Sequence, residues 1–166
     1  MQLKRISRVF LMSAVALALV GCTARVKTVT NLPAGVSQTQ VQNWDSAVAD
    51  LQKIAQVTTT LRQSVISLNK SGVFPDGPAY ANMLAGIGKI DELQIEASNY
   101  LQGVPSDWSL ATQQKILAET QQIQAILTNI TNTGIVGIKD PASQSQVATL
   151  ISNIGSVAAL IIGLTA

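Results

Sequence analysis

The chain contains no histidine and a single cysteine, Cys22. Without histidine there is no Ser-His-Asp or Cys-His machinery, and without a second thiol there is no internal disulfide. Zinc sites built on His and Cys are excluded on the same ground. Aromatic side chains are scarce, two each of Trp, Tyr and Phe, and charged residues make up only 12% of the sequence. A hydrolase would have to rely on Ser, Lys, Tyr and carboxylates alone, so no enzyme and no cofactor is expected. Hydrophobic residues, by contrast, reach 47%, and the polar remainder is mostly Gln, Asn, Ser and Thr. Ample Ile, Leu, Val and Ala with little charge argues against disorder.

Charge is unevenly placed along the chain. Lys4, Arg5 and Arg8 are three of the 11 basic residues, and beyond them eight face 9 acidic ones. The retained part is near neutral, with none of the basic patches that nucleic-acid binding needs. Behind the three cations runs an uncharged apolar stretch from Val9 to Val20, followed by Gly21 and Cys22. A basic start, a short apolar run and small residues at the cut describe a secretory signal peptide.

The end of that segment, Leu19-Val20-Gly21-Cys22, resembles the lipobox of bacterial lipoproteins. The resemblance covers residues 1–22. It implies cleavage between Gly21 and Cys22, diacylglyceryl transfer to the Cys22 sulfur, and acylation of the new amino terminus, typically with palmitate. It therefore implies a membrane anchor in the bacterial cell envelope. Thr23 rather than Asp after the cysteine resembles the pattern released to the periplasmic face of the outer membrane in a diderm host. Arg5 and Arg8 are separated by Ile6-Ser7, which favours the general secretory route over a twin-arginine one.

Three parts follow: the signal peptide (1–21), the lipidated cysteine with a tether (22–36), and a helical bundle domain (37–166), long enough for one core. The tether has no helical period. It reaches at most roughly 3.3–3.6 Å per residue, or about 50 Å. The first helix starts at Ser37, whose pairing with Gln40 is a capping-box pattern. Its apolar stripe is Val41, Trp44, Val48, Leu51, Ile54, Val57, Leu61, Val65 and Leu68, and Asn69-Lys70-Ser71-Gly72 stops it.

Pro78 suits the first turn of a second helix, with Tyr80, Leu84, Ile87, Ile90, Leu93, Ala97 and Tyr100 inward and an end at Gly103. A third runs from about Trp108 to just before Gly134, with Leu110, Ile116, Leu117, Ile123, Ile126, Leu127 and Ile130. Asp140-Pro141 caps a fourth, carrying Val147, Leu150, Ile151, Ile154, Val157, Leu160, Ile161 and Leu164. Short connections between four helices predict an all-α, antiparallel up-and-down bundle.

The halves also align at an offset of 62. Gln52-Lys53-Ile54 matches Gln114-Lys115-Ile116, Thr58 matches Thr120, and Gly72 falls on Gly134. A duplicated helical hairpin explains this, with both glycines left-handed at equivalent helix ends. So does a chance phase match, since only five of the 23 positions across 51–73 are identical.

Four features invite a functional reading, each beside a plainer one. Asp91, Glu92 and Glu96 supply too few oxygens for a hard cation; a solvated face, and no metal, is expected. Trp44 and Trp108, with Tyr80 and Tyr100, either gate a ligand or partner groove or anchor the bundle ends. The glutamines of the third helix (Gln113, Gln114, Gln121, Gln122, Gln124) form a face for a partner or an ordinary wet surface. The fourth helix has no charge from Pro141 to Ala166, and Gly155, Ala159 and Gly163 form a small-residue ridge. Its polar residues leave less than the ~20 apolar positions of a membrane span, so burial all round at the bundle centre is expected. The expected role is non-catalytic: a lipid-anchored envelope protein, structural or partner-binding. The alternatives are a carrier of a small apolar ligand within the bundle and a membrane-active protein that inserts its apolar fourth helix.

Overall fold

The computed structural model describes Leu32 and residues 34–165. The signal peptide, Gly21, Cys22 and most of the tether lie outside the described residues. Four helices follow: α1 (Gln38–Lys70), α2 (Pro78–Asn99), α3 (Leu110–Thr133) and α4 (Pro141–Thr165). α1 and α3 each pack against α2 and α4. They form an antiparallel four-helix bundle with α1 and α3 on one diagonal.

The starts obey local chemistry. Ser37 Oγ accepts from Gln40 N at 3.1 Å while Gln40 Oε1 accepts from Ser37 N at 2.9 Å, satisfying two otherwise orphan donors. Ser109 Oγ accepts from Thr112 N at 3.2 Å and Asp140 Oδ2 from Ser143 N at 2.8 Å. The third helix therefore starts two residues after Trp108, and the second ends at Asn99 rather than Gly103. Pro105–Asp107 instead forms a single 3-10 turn, closed by Asp107 Oδ2 accepting from Val104 N at 3.0 Å. Trp108, just after that turn, is buried.

Ile54, Leu61, Ile87, Ile90, Ile116, Ile123, Ile154 and Ile161 are fully buried at the centre. Burial of each such side chain is worth about 1.5–3 kcal/mol. Most of the predicted stripes lie on the inner faces, with Trp44, Val48, Val57, Leu68, Tyr80, Leu84 and Tyr100 packed at the flanks.

Three expectations fail. α4 is a corner helix, not a central one: Val147, Ile151, Ile154, Ala158 and Ile161 are buried while Ser152, Ser156, Ala159, Leu160 and Gly163 are exposed. Its outward face lacks charge because it is built from small and hydroxyl residues. Leu110 and Leu160 point away from the core, each six positions from a buried Ile (116 and 154), a turn and two-thirds of helix. Finally, Gly72 has φ +75° but Gly134 has φ −92°. Gly134 is required by space instead, since a Cβ there would stand 2.8 Å from Met83 Cε and 2.8 Å from the Ile130 carbonyl oxygen.

The two ends of the bundle differ. At one end the α1–α2 and α3–α4 connections meet: Lys139 N donates to Val73 O at 2.9 Å, and Phe74 and Ile138 seal the core. At the other end α1 begins, α4 ends, and the 3-10 turn of the α2–α3 connection packs on α1. Val36, the last residue before the Ser37 cap, is already buried there.

Candidate functional site

Of the four aromatics, Tyr80 stands apart from the other three, which lie toward the end where α1 begins. Tyr80 lies at the sealed end, its ring edge-on to Phe74 with centroids 5.3 Å apart. Tyr100 lies at the other end of α2, with the Lys115 ammonium 5.2 Å from its ring centroid. Trp108 is core, and the half-buried Trp44 hides its indole N–H with no hydrogen-bond partner. None of the four lines the groove between α3 and α4.

The acidic cluster is dispersed by its partners. Asp91 pairs with Arg62 across α1 and α2, Glu92 with Lys89 at 3.0 Å, and Glu96 accepts the Tyr100 hydroxyl at 3.0 Å. These contacts raise the Lys89 ammonium and the Tyr100 phenol above their ordinary pKa values, chiefly through the hydrogen bonds to Glu92 and Glu96. Glu119 on α3 is also pushed up, first by burial and then by the Glu96 charge. Among the described residues no three acidic or thiol groups converge as a metal would need.

What the bundle does form is a groove of about 550 Å³ between α3 and α4. Leu127, Ile151 and Gly155 make its floor; Gln124, Thr128 and Ser156 stand along its sides. A Cβ at Gly155 would meet only Leu127 Cδ1, at an ordinary contact distance of 3.7 Å. No lining residue is charged. Its chemistry suits an uncharged surface offering both apolar contact and hydrogen bonds, and includes no nucleophile paired with a base.

Two separate sequence signals meet in this groove, Gln124 of the glutamine face and Gly155-Ala159 of the small-residue ridge. Neither marks the groove alone, because the pairing of α3 with α4 is tertiary. Thr58, which the repeat pairs with Thr120, is fully buried on α1, and its hydroxyl has no hydrogen-bond partner. It opens the run Thr58-Thr59-Thr60, of which it alone falls four residues from Ile54 on the inward face.

No family model, curated protein or solved structure matches the chain.

Proposed function

We propose that this chain is a non-catalytic, lipid-anchored helical protein of the bacterial cell envelope, with a structural or partner-binding role. The observation that carries it is Leu19-Val20-Gly21-Cys22 behind a basic, then apolar, segment. In a diderm host, Thr23 favours the periplasmic face of the outer membrane. The groove between α3 and α4, uncharged and lined by Gln, Thr and Ser, supports a partner-binding role. Catalysis finds no support in a chain without histidine whose one thiol is the acylation site.

Cys22→Ser removes the acylated atom. Growth with labelled palmitate is expected to mark the natural protein and not the variant, which accumulates unprocessed or soluble. Label persisting in the variant overturns the anchor.

A second reading, a carrier of a small apolar ligand, draws on the same groove, and mass spectrometry of the purified protein for copurifying lipid tests it. Membrane insertion of α4 draws on its uncharged length. Vesicle leakage abolished by Leu160→Asp is the result that reading requires.

A further inference from the structure

Among the described residues, six large apolar side chains stand out in solvent, and their placement is uneven. Leu32 precedes α1, Ile95 (56% exposed) lies in the last two turns of α2, and Leu160 (58%) in the last two turns of α4. Val104 (57%) and Leu110 (68%) flank the 3-10 turn that joins α2 to α3. All five belong to the half of the bundle where α1 begins. Only Val136, 71% exposed, stands at the sealed end.

We infer that the end bearing the tether is itself a lipid-contacting surface. Val104 and Leu110, flanked by the uncharged end of α4, enter the head-group region of the bilayer that holds Cys22 and keep the bundle end-on. This rests on the anchoring proposed above and adds to it a second contact and an orientation.

Single exposed leucines are normal; their gathering at the anchored end is what calls for an occupant. Only 14 residues separate Cys22 from Ser37, so the first turn of α1 is held within about 50 Å of the lipid. A short linkage holds an attached surface at roughly millimolar effective concentration, so a contact too weak to form in free solution is populated.

Entry costs little here. α4 has no ionic side chain to desolvate. Asp107 turns its carboxylate back onto the Val104 amide. The bundle carries both Asp45 and Lys115 toward this end, and Arg25 and Lys27 belong to the tether, so any attraction to anionic head groups comes through the tether and not through Val104 and Leu110. The contact is apolar and insensitive to salt.

Because Cys22 is acylated in the mature protein, any introduced cysteine is the one free thiol. Leu110→Cys and Val136→Cys are made in the full chain, purified in the acylated form, labelled with bimane and placed in phosphatidylethanolamine–phosphatidylglycerol vesicles. Brominated lipid quenches from the membrane and iodide from water. The label at 110 is expected to be quenched several-fold more by brominated lipid than the label at 136, with the reverse order for iodide, and high salt is expected to change neither. Adding Val104→Asp and Leu160→Asp, both at exposed sites, returns the 110 label to iodide while the helical circular dichroism signal stays.

Equal iodide access at both positions overturns the inference, because the bundle then hangs free. A 110 label shielded from both quenchers also overturns it, placing a protein or a second copy there. Intact mass separates the two layers. A product without acyl chains removes the anchor and the orientation together, whereas an acylated product with the wrong quenching pattern removes the orientation alone.

Discussion

The two hairpins bury the same spacing with different chemistry. Ile54, Thr58, Leu61 and Val65 of α1 recur as Ile116, Thr120, Ile123 and Leu127 of α3, all buried. Met83, Ile87 and Ile90 of α2 recur as Val147, Ile151 and Ile154 of α4. Around that shared frame nearly everything else differs. α1 has 33 residues against 24 in α3, and its first turns extend to cover the α2–α3 connection. The first hairpin is tied across its helices by Arg62 and Asp91, whereas α4 offers no charge for such a pair. One turn leaves through a left-handed Gly72, the other through a right-handed Gly134 crowded by Met83. What folding requires here is the inward period; turn geometry and surface charge are free to diverge.

The largest test of that equivalence is a charge at the centre of either hairpin. Ile90 and Ile154 are both fully buried. An unpaired carboxylate plus the loss of a large side chain is comparable with the whole stability of such a domain, about 5–15 kcal/mol. Ile90→Asp and Ile154→Asp are each expected to abolish the helical circular dichroism signal of the entire bundle, whereas Leu160→Asp at an exposed site keeps it. Survival of half the signal in either Ile variant means that the hairpins fold independently.

The glycines come next, and they sharpen the contrast because equal substitutions act through different physics. Gly134→Ala forces a methyl into Met83 and is expected to cost about 1–3 kcal/mol by overpacking. Gly72→Ala meets no neighbour within 4 Å and pays only for its left-handed backbone, about 1 kcal/mol. Chemical denaturation reads both. Trimming Met83 to Ala should recover part of the first loss and none of the second.

The buried threonines should differ in sign. Thr120 Oγ1 donates to Ile116 O at 2.7 Å, while the equivalent hydroxyl on Thr58 has no partner. Removing an unsatisfied buried group of unchanged shape relieves its desolvation. Thr58→Val is therefore expected to stabilise by about 1 kcal/mol, and Thr120→Val to lose about 0.5–1.5 kcal/mol. Equal shifts in denaturation midpoint would erase this distinction.

The smallest effect sits where α3 carries Glu119 at the position of Val57 in α1. Burial and Glu96 raise the pKa of Glu119 in the folded state. The protonated acid is therefore the form the fold prefers, and stability falls as pH rises through the raised value. Glu119→Gln is expected to raise the melting temperature at neutral pH, with the gain vanishing below the ordinary carboxylate range. A gain that persists in acid points to packing instead.

Much of this was legible beforehand because it is local. Ser37 with Gln40, Pro78, and Asp140 before Pro141 place three helix starts through hydrogen bonds made within one turn. The threes and fours of Ile54, Leu61 and Val65 place an inner face because a helix has 3.6 residues per turn. Cys22 and Gly21 are read the same way, as a contiguous motif. The wide spacing of Tyr80 and Tyr100 along one predicted helix already put them at its opposite ends, but the groove was not legible, since no local rule says that Gly155 of α4 comes to lie beside Leu127 of α3.

The sequence by itself determined four helices, their caps and inner stripes, the lack of histidine and of a second cysteine, and the resemblance of its first 22 residues to a lipoprotein signal. Only the tertiary structure decided that α4 stands at a corner, that Asp91, Glu92 and Glu96 are each engaged by a different neighbour, and that exposed apolar side chains gather at the end nearest the tether. The physical reason is one of range. Periods and caps are satisfied within a few residues, but which face a helix leaves open depends on how many neighbours it has.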